Sequence, residues 1–485
     1  MARAKGKVKP RVDRKAYPLH NQPMSETPAP KSATAPARLT VGSTMRHVIE
    51  MTFAGSIGLI AIFLVDFLSL FYVSLLKNEQ LTAGVGYATT ILFFTISVNV
   101  GLMIASSALV ARALGAGDRE RARRIATSAA LLAAAVSALV SLGVFMGMDR
   151  ILGMLGSSGV PHDVAVRFLM ITLPSNAAMA FGMVLSSTLR ALGDARRAML
   201  VTLLGGIATA ILDPLFIFGF KLGTDGAAIA TVFSRLIFCV VGWRGVVTHH
   251  KLMAKPALAD IKSFAGPLAA IAVPAVLTNI ATPFAAAFLL ATVRPFGDEA
   301  IAAHTIIDRL VPLAFGVIFA LSGAVGPILA QNLGAGHFDR IRQAMRDAML
   351  FSAGYCLLVW AVLALGYKSI PAIFGASPVV ADYVGFFCLV GAAAWVFNGL
   401  LFVANAVFNN LGFPVYSTLF NWGRATLGII PFAMIGAKLW GFKGVVASVI
   451  GGSAIFGLAG VLVAFRLLRK MEANAARVEA VKASA

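Results

Sequence analysis

From about Arg46 to Arg466 the chain is a succession of long apolar runs separated by short polar breaks. A run of about 20 such residues crosses the hydrocarbon core of a bilayer as a helix, and a backbone in lipid must satisfy its own hydrogen bonds. The pattern therefore restricts the chain to membrane-spanning helices. Twelve runs are read, over residues 47–76, 83–111, 125–148, 164–189, 198–219, 226–247, 266–293, 300–330, 347–367, 383–408, 415–437 and 443–466.

Composition excludes an ordinary soluble protein, since 59% of the 485 residues are hydrophobic and 13% charged, against about a quarter charged in soluble domains. Lys and Arg number 41 against 21 Asp and Glu, a net charge of +20. In a soluble chain that excess would suggest nucleic-acid binding. Here the basic residues lie in short loops and tails, so no nucleic-acid partner is expected. Cys239, Cys356 and Cys388 fall inside apolar runs without metal or redox spacing and read as packed free thiols.

Thirty of the Lys and Arg fall in the two tails and the even-numbered loops, and eight in the odd-numbered loops. Positive charge is retained on the cytoplasmic side, so both termini are expected there, which requires an even number of crossings. The organisation expected is a disordered basic cytoplasmic tail over residues 1–45 with no secretory signal, and a six-helix lobe over 46–250. A cytoplasmic linker over 251–265, a second six-helix lobe over 266–466 and a cytoplasmic tail over 467–485 follow.

The second half repeats the first. Leu114-Gly115-Ala116-Gly117 returns as Leu333-Gly334-Ala335-Gly336, and Leu192-Gly193 returns as Leu411-Gly412, both with an offset of 219 residues. Both copies lie in loops on the same side, so the halves are parallel repeats with a cavity between them, as in transporters. The fold class expected is an all-α polytopic membrane protein of twelve transmembrane helices, arranged as two parallel six-helix repeats around a central cavity. The loop glycines read as helix terminators with a topological role, and the Arg that follow them as anchors at anionic lipid.

Four segments carry a family resemblance: SALVARALGAGDRERARR from Ser107, the LRALGD loop from Leu189 with the following LDP and GAAIAT, GPILAQNLGAG from Gly326, and NNLGFP from Asn409. They resemble the MATE family of multidrug and toxic-compound extrusion transporters over nearly all of residues 46–466. The resemblance implies export of organic, cationic or amphipathic compounds in exchange for protons or sodium ions, without a cofactor or bound metal. The chain is accordingly expected to be no enzyme, to act as a monomer on a small organic substrate among membrane lipids, and to reside in a bacterial inner membrane.

A charge at membrane depth costs at least about 2.5 kcal/mol on insertion scales and needs a partner or a role. Asp66, amid Ile62 to Leu68, is the first candidate for the proton carrier. Aligned on Tyr72-Val73-Ser74 and Ala83 to Tyr87, the family's first-helix carboxylate falls opposite Ser69, one turn from Asp66 on the same helix face. Asp213 matches a family carboxylate, with Thr231 where relatives place a hydroxyl and Thr209 where they place an Asn. The alternative is that Asp213 serves the backbone around Pro214. Cation coupling is thus assigned to Asp66, Asp213, Thr209, Thr231 and Ser69, with protons favoured over sodium.

Arg235 is offered as a partner for Asp213 or Asp66, or as an architectural residue. Adjacent helical residues diverge by about 100°, so Asp308 and Arg309 face different neighbours and do not simply pair with each other. They are possible cavity charges, with a structural salt bridge preferred. Arg424 is expected to snorkel to the headgroups. Helices seven and ten carry Thr278, Asn279, Thr282, Asn398 and Asn405 but no acid, which places coupling in the first half. A major-facilitator transporter would not carry the QNLGAG and LDP segments. A lipid-linked oligosaccharide flippase of the same superfamily would need more cationic residues in its cavity than Arg235 and Arg309. An integral-membrane enzyme would need a HExxH, GxSxG or paired-Asp motif, and the sequence has none.

Overall fold

The computed structural model of the chain describes residues 36–484. It is helical, with no strand among the described residues. The first six crossings are α1 Thr44–Ser74, α2 Glu79–Gly115, α3 Arg119–Met154, α4 Val160–Ala191, α5 Ala195–Gly219 and α6 Thr224–His249. The next four are α7 Leu258–Phe296, α8 Asp298–Gly334, α9 Phe338–Leu365 and α10 Pro378–Leu411. A last helical stretch, Pro414–Val481, is broken by non-helical backbone at Trp440 and Gly441. It therefore supplies two crossings, α11 over 414–439 and α12 from 442, and twelve in all.

The 219-residue offset holds in three dimensions. It relates both ends of α2 to both ends of α8, and the first residues of α3 and α5 to those of α9 and α11. Gly117 and Gly336, with φ of 78° and 76°, are the left-handed residues that turn the chain out of α2 and α8. In the first half the helix that follows is started by an aspartate. Asp118 accepts from Arg121 N at 2.8 Å and Asp194 from Arg197 N at 3.1 Å, satisfying amides that a helix start leaves orphaned. The second copies keep the glycine and replace the acid by His337 and Phe413.

Gly115 and Gly334 do something other than terminate helices. A Cβ on Gly115 would lie 1.9 Å from the Gln331 carbonyl oxygen, and one on Gly334 would lie 2.0 Å from that of Arg112. These two contacts are repeat images of each other, so the backbones of α2 and α8 touch where the pseudo-two-fold axis passes. Two hydrogen bonds obey the same symmetry: Arg112 Nη2 donates to Asn410 O at 2.9 Å, and Gln331 Nε2 to Ala191 O at 2.6 Å. Further along, α1 packs on α8 and α2 on α7. The lobes are closed against each other at the end of the bundle where residue 36 lies.

The tail boundary expected at residue 45 is corrected. Arg38–Thr40 form a short 3-10 helix, and Leu39 is 1% exposed. Leu39 N donates to Gln331 Oε1 at 2.9 Å, and Asn332 Nδ2 donates to Leu39 O at 3.1 Å. A Cβ on Gly193 of the first lobe would meet Arg38 at 3.1 Å and Leu39 at 3.3 Å. A buried leucine with paired backbone groups makes this segment part of the folded body, spanning both lobes. The remainder of the expected tail, residues 1–35, lies outside the described residues. The linker expected over 251–265 shortens to 251–257, because α7 extends past its apolar stretch to start at Leu258.

Candidate functional site

In the first lobe, Asp213 lies in the last turn of α5 before Pro214 and has no solvent exposure. Pro214 lacks an N–H, and a π-helical turn, Leu215–Gly219, follows it. Ser69 of α1 donates a hydrogen bond to Asp213 Oδ2, while Oδ1 is buried without a partner. Asp66, one turn before Ser69 on α1, is exposed. The structure thus brings Ser69 and Asp213 together, with Asp66 one turn away on the helix that packs on α5.

The threonines do not join them. Thr209 donates to Gly205 O at 3.1 Å and Thr231 to Ala227 O at 3.0 Å, each within its own helix. The pairing offered for Arg235 with Asp213 or Asp66 is also not found. Its Nη1 donates to Thr172 O at 2.8 Å and to Ser175 Oγ at 2.9 Å. Those acceptors flank a 3-10 break in α4, Leu173–Ser175, which contains Pro174. Carbonyls released by such a break need donors, and Arg235, 5% exposed, supplies one. Its hydrogen bonds brace that break.

A second polar chain in this lobe was not visible in the sequence. Asn99 Nδ2 donates to Asn176 Oδ1 at 2.9 Å, and Asn176 Nδ2 to Ser141 Oγ at 3.1 Å. The residues lie on α2, α4 and α3, and nothing in their local sequence separates them from ordinary helix-packing amides.

The second lobe holds a cavity of about 260 Å³ lined only by residues 282–449. Asn398 and Asn405 of α10, Asn421 and Arg424 of α11, and Trp395 and Phe402 are on its walls. The expectation that Arg424 snorkels to the headgroups is therefore corrected: it faces this internal space at the start of a π-helical turn, Arg424–Gly428. Its position a full ten residues into α11 is the signal that could have placed it. Asp308 and Arg309 diverge as their adjacency requires. Asp308 faces the cavity with His304 Nε2 3.5 Å away, whereas Arg309 lies across the interlobe boundary, 5.7 Å from the centre of the Phe67 ring.

Outside the membrane-spanning segments, Asp194 accepts from His250 Nε2 at 2.8 Å and Arg197 Nη1 at 2.5 Å. Burial pushes its carboxyl up, but the hydrogen bonds from His250 and Arg197 outweigh it and hold the group below its ordinary value of 3.8. This cluster ties the α4–α5 loop to the end of α6.

The MatE family profile matches the chain twice, over residues 56–215 and 274–435. A relative described as an FAD transporter, from Shewanella oneidensis, is 27% identical over 438 residues, 89% of this chain and 96% of its own length. The multidrug export protein MepA of Staphylococcus aureus is 25% identical, over 85% of this chain and 91% of its own. Among solved structures, the Vibrio cholerae MATE transporter VcmN in its bent form superposes with a TM-score of 0.84 at 24% identity, covering 88% of this chain and 97% of that one. A MOP superfamily transporter from Pyrococcus furiosus gives 0.83 at 21% identity, over 90% and 98%.

Proposed function

The chain belongs to the MATE family, whose members are membrane transporters and not enzymes, and on that premise we propose that it is a secondary antiporter. It exports amphipathic or cationic organic compounds in exchange for protons, by alternating access of its two lobes. The relatives named for multidrug export and for FAD transport support a small organic cargo.

The observation that carries the proton reading is the Asp66–Asp213 pair. Asp213 is buried with Ser69 as its hydroxyl donor, Asp66 lies one turn from Ser69 on the helix that packs on α5, and neither carboxylate has an ion-pair partner among the described residues. Two nearby carboxylates without a cation are a natural place to load a proton, because protonating one relieves both repulsion and burial of charge. Sodium would need a cage of several oxygens, and Thr209 and Thr231 are turned to their own backbones. The excess of Lys and Arg in the tails and even loops supports cytoplasmic termini, in a bacterial inner membrane.

The test is efflux of a fluorescent organic cation from proteoliposomes under an imposed proton or sodium gradient. The expected result is proton-driven efflux that Asp213→Asn abolishes and Asp66→Asn strongly reduces. Efflux that follows sodium alone overturns the ion assignment. Efflux that ignores both gradients brings the lipid-linked oligosaccharide flippase to the front.

A further inference from the structure

The second-lobe cavity carries chemistry that ion coupling does not use. Arg424 makes no hydrogen bond or ion pair with any described residue. A guanidinium cannot shed its charge, so at membrane depth it calls for an anionic partner. Nearby, Asn421 Nδ2 is committed to Asn405 Oδ1 at 2.9 Å and to Ser417 O at 2.7 Å. Asn398 is 8% exposed, and its Oδ1 is buried with no partner. A buried amide oxygen without a protein partner and an unpaired cation on the walls of one cavity are both satisfied by a ligand that supplies an acceptor and a donor.

The remaining wall is aromatic. Trp395 is stacked on Phe315 with centroids 4.8 Å apart, and Phe319 sits edge-on to Trp395 at 5.5 Å and to Phe402 at 5.4 Å. These rings brace one another and present a rigid apolar surface. The cavity volume of about 260 Å³ suits one or two fused rings. Asp308 and His304 also border it, so a carboxylate is present, but it already has an imidazole 3.5 Å away whereas Arg424 has nothing.

We propose that this cavity is a binding site for a planar aromatic anion, its carboxylate or phosphate on Arg424, its ring against Trp395, Phe319 and Phe402, and a ring-edge donor on Asn398. The proposal rests on the transporter reading and names the substrate class that its second lobe accepts. It adds an anionic aromatic class to the amphipathic and cationic compounds proposed above. The repeat gives the asymmetry a simple basis, since the residue 219 positions before Arg424 is Gly205, and the one 219 after Asp213 is Phe432. The two positions have therefore diverged independently, Asp213 in the first lobe and Arg424 in the second.

The experiment is equilibrium binding to purified full-length protein in neutral detergent, with no gradient, using 2-naphthoate and its uncharged isostere 2-naphthamide. Wild type is expected to bind the acid about ten- to a hundredfold more tightly than the amide. Arg424→Gln should erase that preference, weakening the acid far more than the amide, and Arg424→Lys should restore part of it. Trp395→Ala should weaken both ligands. Inorganic phosphate and vesicles of phosphatidylglycerol serve as competitors; displacement by the vesicles alone would assign the anion site to lipid headgroups and overturn the aromatic part of the proposal. Equal binding of acid and amide, or tighter binding of 2-naphthylmethylamine, overturns the anion assignment. Because no gradient is applied, loss of proton coupling in Asp213→Asn with naphthoate binding intact would separate the two readings, and Asp213→Asn is accordingly measured in parallel.

Discussion

At the scale of single residues, the candidate carboxylates were legible because a charge in an apolar run has few innocent explanations, but their partners were not. Ser69 and Asp213 lie 144 positions apart and meet only when α1 packs on α5. Ser69→Ala removes the one donor that Asp213 has. Proton-driven efflux in that variant is expected to fall roughly tenfold, the worth of about 1.5 kcal/mol in a charge-assisted hydrogen bond, without the complete loss expected of Asp213→Asn; initial rates in proteoliposomes decide. Arg235 is the opposite lesson. Its partners are a carbonyl and a hydroxyl at a helix break, and a search for opposite charges does not reach them. Asp194 gives a residue-scale prediction in stability. Its folded-state pKa is depressed, so its charge contributes stability above its unfolded value and loses it as pH falls through the folded one. Asp194→Asn keeps an oxygen for the N-cap but not the charge. The variant should therefore melt several degrees below wild type in detergent at pH 7, with the gap closing below about pH 4 as the native carboxyl protonates; an unchanged gap across that range would put the effect in hydrogen-bond geometry rather than charge.

At the scale of helices, hydropathy located every crossing, and the repeated glycine loops located the internal symmetry. What the pattern missed is the difference between two glycines two residues apart. Gly336 is a turn residue with positive φ and open space where a Cβ would go, whereas Gly334 has ordinary backbone and no room at all. A sequence cannot separate them, because the constraint on Gly334 comes from Arg112 in the other lobe. Their substitutions are predicted to behave differently. Gly336→Ala strains one turn, at about 1 kcal/mol, and should leave the bundle closed. Gly334→Val drives two methyl groups into the Arg112 carbonyl and must part α2 from α8. A cysteine placed at Ala191, which is buried at this end, reports the difference: its labelling by a polar thiol reagent should rise several-fold with Gly334→Val and stay low with Gly336→Ala. The segment around Leu39 escaped notice for a similar reason. Its composition is that of a tail, and only the cleft it meets between Gly193 and Gln331 makes it part of the fold.

For the whole molecule, duplication supplied two lobes of one shape, and divergence gave them different sites. The first lobe holds Asp213 with its Ser69 donor, and the second holds a cavity bordered by Arg424, Asn398 and Asp308. Alternating access then needs only that the two bodies rock about the axis where α2 crosses α8, since each lobe is internally packed and its polar groups are held within it. The contacts that must break for the terminus-bearing end to open include the glycine crossing, the Arg112 and Gln331 hydrogen bonds to the opposite lobe, and the strap at Leu39. If rocking at this crossing is the transport motion, joining the lobes here should stop it without disturbing either site. Ala191→Cys with Gln331→Cys places one thiol in each lobe at residues already in contact, and Cys239, Cys356 and Cys388, replaced by serine, leave no other thiol. Linking the pair with a short bis-methanethiosulfonate should abolish gradient-driven efflux, reduction should restore it, and naphthoate affinity in detergent should be the same before and after. Transport that continues in the linked protein would require the lobes to move independently of this crossing, and would relocate the hinge to within a single lobe, at the break in α4 or at the 3-10 turn Gly391–Ala393 that interrupts α10.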